Sequence, residues 1–200
     1  GKIRYIGCSN YAGWQLMKSL AAADRHGLAR FVSHQLSYSL AVRDCEWDLQ
    51  PLGNDQNVAS LVWSPLAGGL LGGKYGRSGK PIAASSADTL PAGQLLGIID
   101  CLGEVARESG ASQAQVALAW LLPRPTVAAV LVGASSSEQF EASLDAINLQ
   151  LTGDQYVRLD DASARPAPYP HGLQLGVSSE RTVRPGNAAN VRVDKGFAGQ

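Results

Sequence analysis

The 200-residue sequence has few cysteines, no excess of either charge and no long apolar run. Its three cysteines, Cys8, Cys45 and Cys101, are odd in number and widely spaced, which argues against a disulfide framework or a zinc site. The 17 basic and 17 acidic residues balance, so the basic face that nucleic-acid binding requires is not expected. No apolar run approaches the ~20 residues that span a bilayer. We therefore expect a cytoplasmic protein that binds no nucleic acid, no membrane and no metal.

What the sequence does contain is an alternation of strand-like and helix-like segments. The predicted strands cover residues 3–8, 31–35, 59–63 and 127–132. The predicted helices cover residues 14–26, 112–122, 136–147 and 152–162. The first has an apolar side that includes Trp14, Leu16 and Leu20, and capping patterns with a glutamine three residues later begin at Ser112 and Ser136. A polar segment over 43–56 is also predicted to be helical, but interrupted by Pro51 and Gly53. The strand over 127–132 is short and apolar, which predicts burial on both faces. Four such alternations predict an α/β fold with a parallel sheet.

Two segments lack this periodicity. Residues 67–97 are rich in Gly, Ser, Ala and Pro, and we predict a long loop there, which in a compact domain is often functional. Residues 171–200 contain few large apolar groups, so we predict an irregular, poorly ordered tail after a folded domain of residues 1–170. A complete eight-stranded barrel takes ~250 residues, so four strand–helix units over about 150 residues amount to half of one.

Each predicted strand ends at residues that can contact a ligand. The strand-end segments are Ser9-Asn10, Gln35, Trp63-Ser64-Pro65-Leu66 and Gly133-Ala134-Ser135-Ser136. Taken singly, each has a plain structural explanation: a helix cap, a loop brace, a core tryptophan and a capped turn. In a parallel sheet, however, the carboxyl ends of the strands share one edge, where ligands bind. Their occurrence at four successive strand ends therefore predicts a ligand site.

Three sequence runs resemble the aldo-keto reductases. They cover residues 1–11 (GKIRYIGCSNY), 63–75 (WSPLAGGLLGGKY) and 132–139 (VGASSSEQ), and they occur in the order and spacing of that family. The closest resemblance is to the branch that includes bacterial general oxidoreductases and potassium-channel β subunits, and it spans roughly residues 1–170. It implies a (β/α)8 TIM barrel, of which this chain supplies strands five to eight, a half barrel.

The resemblance also implies a set of contacts to NADPH bound in extended form. The residues matched to the nicotinamide are Ser9, Asn10, Gln35 and Trp63. The residues matched to the pyrophosphate and its charge are Ser64, Pro65, Leu66, Gly68 and Lys74. The residues matched to the adenosine end are Gly133, Ser135 and Gln139. In the family pattern the tryptophan stacks on the nicotinamide ring, and the serine at 135 lies near the 2′-phosphate that distinguishes NADP from NAD.

Two departures from the family pattern concern the phosphates and the adenine. The arginine that the family often has after the Gly-Lys-Tyr run has no clear counterpart here, although Arg77 is nearby. Where the family often has Glu-Asn against the adenine, this chain has Ala142-Ser143, which predicts weaker adenine contacts or a substitute for them. The catalytic Tyr, Lys, Asp and His of the family sit on strands two to four, which would precede Gly1. We therefore assign no catalytic residue and expect the isolated chain to be inactive as a carbonyl reductase. Reduction of a small carbonyl substrate then requires completion by a first half.

Other interpretations remain open. The chain is alternatively a non-catalytic NADPH-binding regulatory subunit, as the channel β-subunit resemblance allows. The spacing from Gly68 to Lys74 also resembles a phosphate-binding P-loop, although Tyr75 stands where the Mg²⁺-binding Ser or Thr is required. A serine hydrolase is a poorer match, because no Gly-x-Ser-x-Gly motif occurs. Because half a barrel leaves two sheet edges open, we also expect self-association through those edges or a loose, aggregation-prone fold.

Overall fold

The computed structural model describes residues 1–74 and 90–174. The chain divides into two compact units, Gly1–Arg165 and Pro166–Gln200. Every strand and helix named below lies in the first unit. Most of the tail over 171–200, predicted to be poorly ordered, lies outside the described residues. No helix in the described ranges is long and apolar enough to cross a bilayer.

Four parallel strands form one sheet in the order β1-β2-β3-β4. The strands are β1 Ile6–Ser9, β2 Phe31–Ser37, β3 Ala59–Trp63 and β4 Val127–Val130. The α-helices are α1 Gly13–His26, α2 Leu49–Gln56, α3 Ala92–Ser109, α4 Gln113–Leu121, α5 Ser137–Leu144 and α6 Gly153–Ala162. Short 3-10 turns cover Asp44–Glu46, Ala67–Gly69 and Asp145–Asn148. The predicted α/β class and parallel sheet are confirmed.

The core lies between the sheet and the helices. On β2, His34 and Leu36 are buried, whereas the intervening Ser33, Gln35 and Ser37 remain partly exposed. Because side chains alternate across a strand, one face of β2 is closed by packing and the other is open and polar. The closed face belongs to a cluster of buried side chains that includes Leu36, Val62, Ile98, Leu102 and Trp120.

The helix over the 43–56 segment differs from the prediction. Neither Pro51 nor Gly53 interrupts α2, which runs continuously from Leu49. Pro51 is the third residue of the helix, where the missing N–H would have had no intrahelical partner. Gly53 lies so close to the next segment that an added Cβ would be 2.7 Å from the Val58 carbonyl oxygen. The glycine therefore permits close packing of α2 against the chain entering β3.

The long loop predicted over 67–97 is too long at its C-terminal end. Residues 75–89 lie outside the described residues, but α3 begins at Ala92 and runs to Ser109. Its buried side chains are Leu95, Ile98, Ile99, Leu102, Val105 and Ala106. Their spacing of three and four residues is typical of a helix facing the core. Three glycines within the helix lower its intrinsic propensity and hid this period.

The fourth strand is not buried on both faces as predicted. It ends at Val130, and its Ala128 and Ala129 are exposed. It is an edge strand of the sheet, and because the exposed Ala128 and Ala129 are consecutive, each of its two faces carries an exposed side chain. The helix that follows is similarly open: Phe140 is 46% exposed and Ile147, after that helix, 69%.

The opposite edge of the sheet also leaves apolar groups uncovered. On α1, Leu16 and Leu20 are buried as predicted, but Trp14 on the same apolar side is 67% exposed. Before β1, Ile3 and Tyr5 are 72% and 74% exposed. Both ends of the four-stranded sheet therefore carry large exposed apolar side chains.

A buried polar cluster joins the chain after β2 to α4 and α6. Trp120 is fully buried, with the guanidinium carbons of Arg43 and Arg124 at 5.2 Å and 3.9 Å from its ring centroid. The Trp120 indole N–H donates to the Asp160 carboxylate at 3.1 Å, and Arg124 also pairs with that carboxylate. The guanidinium groups of Arg43 and Arg124 therefore both contact the Trp120 ring and the Asp160 carboxylate.

Arg43 is the most connected member of this cluster. It donates to both carboxylate oxygens of Glu46, at 2.8 Å and 2.9 Å, and to the Ser163 hydroxyl at 2.7 Å. Burial alone would lower the pKa of Arg43, but the bonds to Glu46 and the nearby Asp160 carboxylate raise it instead. The guanidinium is therefore charged and its donors are paired, as a buried arginine requires.

Two glycine-to-alanine substitutions should have opposite effects on stability. Gly53→Ala places a Cβ against the Val58 carbonyl, so we expect a loss of about 1–3 kcal/mol from overpacking. Gly97 lies on the exposed side of α3, where an added Cβ meets nothing within 4 Å. We therefore expect Gly97→Ala to increase the free energy of unfolding by about 0.5–1 kcal/mol. Urea denaturation of both variants measures the difference. A gain in both would show that α2 does not pack as closely as described.

Candidate functional site

The turn after β1 joins the ends of three strands. Asn10 has a φ of 56°, in the left-handed region that asparagine tolerates better than most residues. Its backbone N–H donates to the Gln35 carbonyl oxygen at 3.0 Å. Its side-chain Oδ1 accepts a hydrogen bond from the Trp63 indole N–H, also at 3.0 Å. Asn10 therefore fixes the tryptophan at the end of β3 relative to the ends of β1 and β2.

The sheet register places the other predicted nicotinamide residues beside this turn. Gln35 is paired with Ser9 on one side and with Leu61 on the other. Trp63 is the last residue of β3 and is paired with Ser37. Both Gln35 and Trp63 are partly exposed at the open face. The structure thus brings together the four residues at the ends of β1, β2 and β3.

A compact left-handed turn follows β3. Ser64, Ala67, Gly68 and Gly69 have φ values of 51°, 49°, 66° and 91°. Two backbone bonds close the turn, from the Ala67 N–H to the Ser64 carbonyl and from the Gly69 N–H to the Leu66 carbonyl, each 2.9 Å long. No Cβ at Gly68 or Gly69 would meet another atom within 4 Å, so these glycines border open space. The turn therefore exposes bare backbone to whatever occupies that space.

Two adjoining clefts run from this turn toward α5. The first has a volume of ≈ 300 Å³ and is lined by Ser64, Pro65, Leu66 and Gly68 on one side and by residues 131–133 on the other. The second has a volume of ≈ 330 Å³. Because both clefts are lined by Leu66, Gly68, Gly69 and Gly133, they form one groove.

The second cleft carries one positive charge. Its lining includes Lys74 at the end of the glycine-rich turn, and the other described residues that line it are uncharged. Gln139, Ala142 and Ser143 line the α5 side of the same cleft. With no carboxylate among these described residues to oppose it, the lysine favours an anionic ligand.

At the start of α5, the predicted residues form their own hydrogen-bond network. The Ser135 N–H and hydroxyl both donate to Gln139 Oε1, at 3.0 Å and 2.8 Å. Ser136 accepts a hydrogen bond from the Gln139 N–H at 3.3 Å, so the predicted cap is present. The Gln139 side chain, however, reaches Ser135 rather than the capping residue. Ser135 itself lines neither cleft, but it is bonded to Gln139, which lines the second.

Comparison with known proteins gives this geometry a family. The sequence model of the aldo/keto reductase family matches residues 1–164. The chain belongs to the aldo/keto reductase family. The uncharacterized oxidoreductase YrpG of Bacillus subtilis is 35% identical over 167 residues, which are 83% of this chain and 51% of YrpG. The Escherichia coli protein Tas is 35% identical over 165 residues, covering 80% of this chain and 48% of Tas.

More distant relatives differ in their described roles. A versiconal hemiacetal acetate reductase of Aspergillus parasiticus is 30% identical over 85% of this chain. A putative voltage-gated potassium channel subunit beta of Schizosaccharomyces pombe is 32% identical over 80% of it. The chain spans about half the length of these relatives, 51% and 50%. The family is a barrel family, and the four-stranded parallel sheet is consistent with part of such a barrel.

The departure at Ala142 and Ser143 can now be placed, whereas Arg77 lies outside the described residues. Ala142 and Ser143 do line the second cleft, where the family often has Glu-Asn. The Ser143 hydroxyl donates to the Gln139 carbonyl at 2.8 Å, so within the helix it is already engaged as a donor. Its lone pairs still provide an acceptor for a ligand. The site therefore offers one short hydroxyl in place of two longer polar side chains.

Sequence reasoning missed Ser112 as a residue of the groove. It was predicted only as the cap of α4, which it is: its hydroxyl accepts from the Gln115 N–H at 3.2 Å. It also lines the second cleft. The sequence pattern gave no signal for it, because α4 follows helix α3 rather than a strand.

Tyr38 follows β2, but it is not placed to act on a ligand in the groove. Tyr38 is buried, and its hydroxyl donates to Glu46 at 2.6 Å rather than facing the groove. Burial and the Glu46 carboxylate raise its pKa far above the ordinary value, which makes it a poor general acid. Within residues 1–74 and 90–174, no three of the His, Cys, Asp and Glu side chains gather as a metal site.

Proposed function

We propose that this chain is the cofactor-binding part of an NADP-dependent carbonyl reductase. The observation that carries the proposal is one groove that begins at Ser64, next to the hydrogen-bonded Trp63, passes bare glycine backbone and reaches Lys74. The order of these features along the groove fits an extended NADPH molecule, which has a flat ring at one end and phosphates beyond it. The reaction is hydride transfer to a small carbonyl compound, giving an alcohol.

The nicotinamide would lie against Trp63. The hydrogen bond from the Trp63 indole N–H to Asn10 fixes the orientation of the indole ring. The indole would then cover one face of the nicotinamide and leave the other for hydride transfer. Ser9, Asn10 and Gln35 lie beside it with side chains that can bind the carboxamide. This chain's residues therefore bind and orient the cofactor, and they supply no proton to the substrate.

The phosphates would lie along the left-handed turn. Gly68 and Gly69 let a charged ligand approach the backbone, and Lys74 supplies the compensating charge. Gly133, Ser135 and Gln139 lie at the far end, where adenosine and its 2′-phosphate would reach. NADP rather than NAD is proposed on the family membership and on the positive charge of Lys74, the one charge described in this cleft.

The catalytic groups would come from strands one to four, the first half of the barrel. The open face of the sheet carries Ser33, Gln35 and Ser37, which are half-buried and would line a barrel interior. We propose that a first half with strands one to four packs against both apolar sheet edges. Without it, a second copy of the chain would use the same edges. The free thiols at Cys8, Cys45 and Cys101 fit a cytoplasmic setting.

A regulatory role is the second candidate. The similarity to a putative potassium channel β subunit favours it, since a subunit that senses NADPH needs this groove and no catalytic residues. The two roles share the same cofactor site. They differ in whether the completed protein turns over a carbonyl substrate.

Replacing Lys74 should weaken cofactor binding selectively. Lys74→Met removes the one charge described in the cleft, so we expect the NADPH Kd to rise about 10-fold, the value of one hydrogen bond to a charged group. Fluorescence titration with NADPH measures it. Lys18→Met, on the exposed part of α1, is the matched control and should leave the Kd unchanged. Equal affinities in all three proteins would place the phosphates elsewhere.

The isolated chain should bind NADPH without oxidising it. No tyrosine, the proton donor of the family, is among the described residues that line its groove, and Tyr38 is buried against Glu46. A steady-state assay with NADPH and a reactive aldehyde should therefore give no turnover above the rate without protein. Clear turnover would refute the assignment of catalysis to another half.

A further inference from the structure

One buried histidine lies directly behind the proposed nicotinamide site. His34 is on β2, only 2% exposed, and adjacent in sequence to Gln35. Its Nε2 accepts a hydrogen bond from the Tyr11 backbone N–H at 3.1 Å. Tyr11 immediately follows Asn10. The imidazole is therefore bonded to the turn that holds Trp63.

The second ring nitrogen of His34 is unusual. Because Nε2 accepts the Tyr11 proton, a neutral imidazole must carry its own proton on Nδ1. That Nδ1 is buried without a hydrogen-bond partner in the described part of the chain. An unpaired buried donor is costly, and an apolar side chain of similar size would avoid the cost. The hydrogen bond that Nε2 accepts from the Tyr11 N–H compensates for this cost.

The Tyr11 bond acts together with the bond from Asn10 to Gln35. The two consecutive N–H groups of residues 10 and 11 are anchored to β2, one to a backbone carbonyl and the other to the imidazole. Between these anchors Asn10 adopts its left-handed conformation, which directs Oδ1 to the Trp63 indole. If the bond from the Tyr11 N–H to His34 is lost, no other described group accepts a hydrogen bond from that N–H. Only one of the two backbone N–H bonds that hold the Asn10 conformation then remains.

The groups around His34 are mostly uncharged. In register beside it are Cys8 on β1 and Ser60 on β3, and the Ser60 hydroxyl is bonded to Thr126. Burial raises the pKa of the Cys8 thiol, which keeps it neutral. From α1, the buried residues are Gly13, Leu16, Leu20 and Ala23, none of which titrates. The carboxylate bound at the start of α1 is Asp48, which accepts the Gly13 N–H at 3.0 Å.

We propose that His34 is a positioning residue of the cofactor site: its neutral imidazole holds the Ser9–Tyr11 turn in the form that binds the nicotinamide, and protonation releases it. This inference rests on the proposed function. Protonated Nε2 becomes a donor and can no longer accept the Tyr11 N–H. Burial lowers the pKa of His34, so the neutral form prevails at neutral pH and nicotinamide binding weakens only on acidification below its ordinary pKa of ~6.5.

Two ligands separate this local effect from the rest of the site. NADP⁺ contacts the whole groove, whereas 2′-phospho-ADP-ribose has the same phosphates and adenosine but no nicotinamide. The ratio of their affinities cancels the titration of the shared 2′-phosphate. We would measure both Kd values by calorimetry from pH 8 to pH 5 for the wild type, His34→Gln and His34→Leu, with circular dichroism at each pH to show that each protein is folded.

The expected result is a ratio that depends on pH only in the wild type. There it should favour NADP⁺ at pH 8 and fall about 10-fold on acidification. His34→Gln keeps an acceptor that does not titrate, so its ratio should stay high at every pH. His34→Leu has no acceptor, so its ratio should stay low. This pattern would establish the positioning role.

Other outcomes overturn the inference. A His34→Leu ratio equal to that of the wild type at pH 8 would show that the Tyr11 bond does not matter for the nicotinamide. A wild-type ratio that stays constant down to pH 5 would overturn the release of the turn by protonation in this range. Equal loss of both ligands in His34→Leu would show a general packing role. If neither ligand binds any of the proteins at pH 8, the proposed function itself fails and the inference fails with it. If the wild type binds 2′-phospho-ADP-ribose but not NADP⁺, the nicotinamide site and this inference are refuted, whereas the phosphate and adenosine part of the proposed groove is not.

Discussion

Arg43→Met should destabilise the chain by about 3 kcal/mol, which for 200 residues lowers Tm by roughly 10 °C. The arginine side chain is 12% exposed, and the Glu46 carboxylate that it neutralises is 23% exposed. Methionine fills the same space but leaves Glu46 without its two charge-assisted hydrogen bonds. It also removes one of the two cations over the Trp120 ring. Calorimetry of the variant and the wild type measures the loss.

Arg158→Met is the matched control for this change. Arg158 pairs with Glu104 and Glu108, whose side chains are 55% and 43% exposed. Water compensates for such pairs when they are broken, so we expect almost no change in Tm. Equal losses in the two variants would show that the cluster around Trp120 is no more important than a surface ion pair.

Gly68→Val should raise the NADPH Kd at least about 30-fold, a loss of ~2 kcal/mol of binding free energy. Gly68 has a φ of 66° and lines both clefts. A valine there projects into the path proposed for the pyrophosphate and also strains the backbone, because L-residues with branched side chains disfavour this region. Fluorescence titration gives the Kd, and calorimetry gives the accompanying loss of stability.

Gly27→Val separates strain from obstruction. Gly27 ends α1 with a φ of 63°, and an added Cβ there also meets nothing within 4 Å. It lines neither described cleft. Both variants should therefore lose about 1–2 kcal/mol of folding stability, and only Gly68→Val should lose NADPH affinity. Weakened binding in both would attribute the effect to general destabilisation, and unchanged binding in Gly68→Val would place the pyrophosphate elsewhere.

Strand positions and caps were predictable from the sequence because they depend on local chemistry. The strand at 59–63 and the Ser112–Gln115 capping box were both predicted correctly. They require only β-branched residues between turn signals, or a hydroxyl three residues before a glutamine. Helix α3 was missed because its glycines lower propensity, whereas the buried side chains that outweigh them take effect only in the folded chain.

The exposure of the sheet edges could not be predicted in the same way. An apolar run such as Val127–Val130 indicates burial only if elements exist on both sides of the strand. The sequence of β4 gives no information about whether a neighbour is present. The Trp14 face of α1 has the same ambiguity. Apolar periodicity predicts a contact but does not tell whether this chain itself supplies the partner.

The site was predictable as a set of segments but not as a set of bonds. Parallel strands place their carboxyl ends together, so the proximity of Asn10, Gln35 and Trp63 followed from topology. That Asn10 binds the indole rather than solvent depends on a left-handed φ and a 3.0 Å distance, which spacing does not specify. The anchor from Tyr11 to His34 was likewise absent from the motif.

The central claim is that this chain binds NADPH along the groove from Trp63 to Gln139. The most direct test is the thermal melting of the purified chain alone, with excess NADPH and with Mg-ATP. A ligand at ~100 times its Kd stabilises a fold by about 2.7 kcal/mol, a shift of roughly 5–10 °C for a chain of this length. We predict a cooperative melt that rises with NADPH and does not respond to Mg-ATP. A rise with Mg-ATP alone would indicate a P-loop at Gly68–Lys74, and the absence of any response to NADPH would contradict the proposed site.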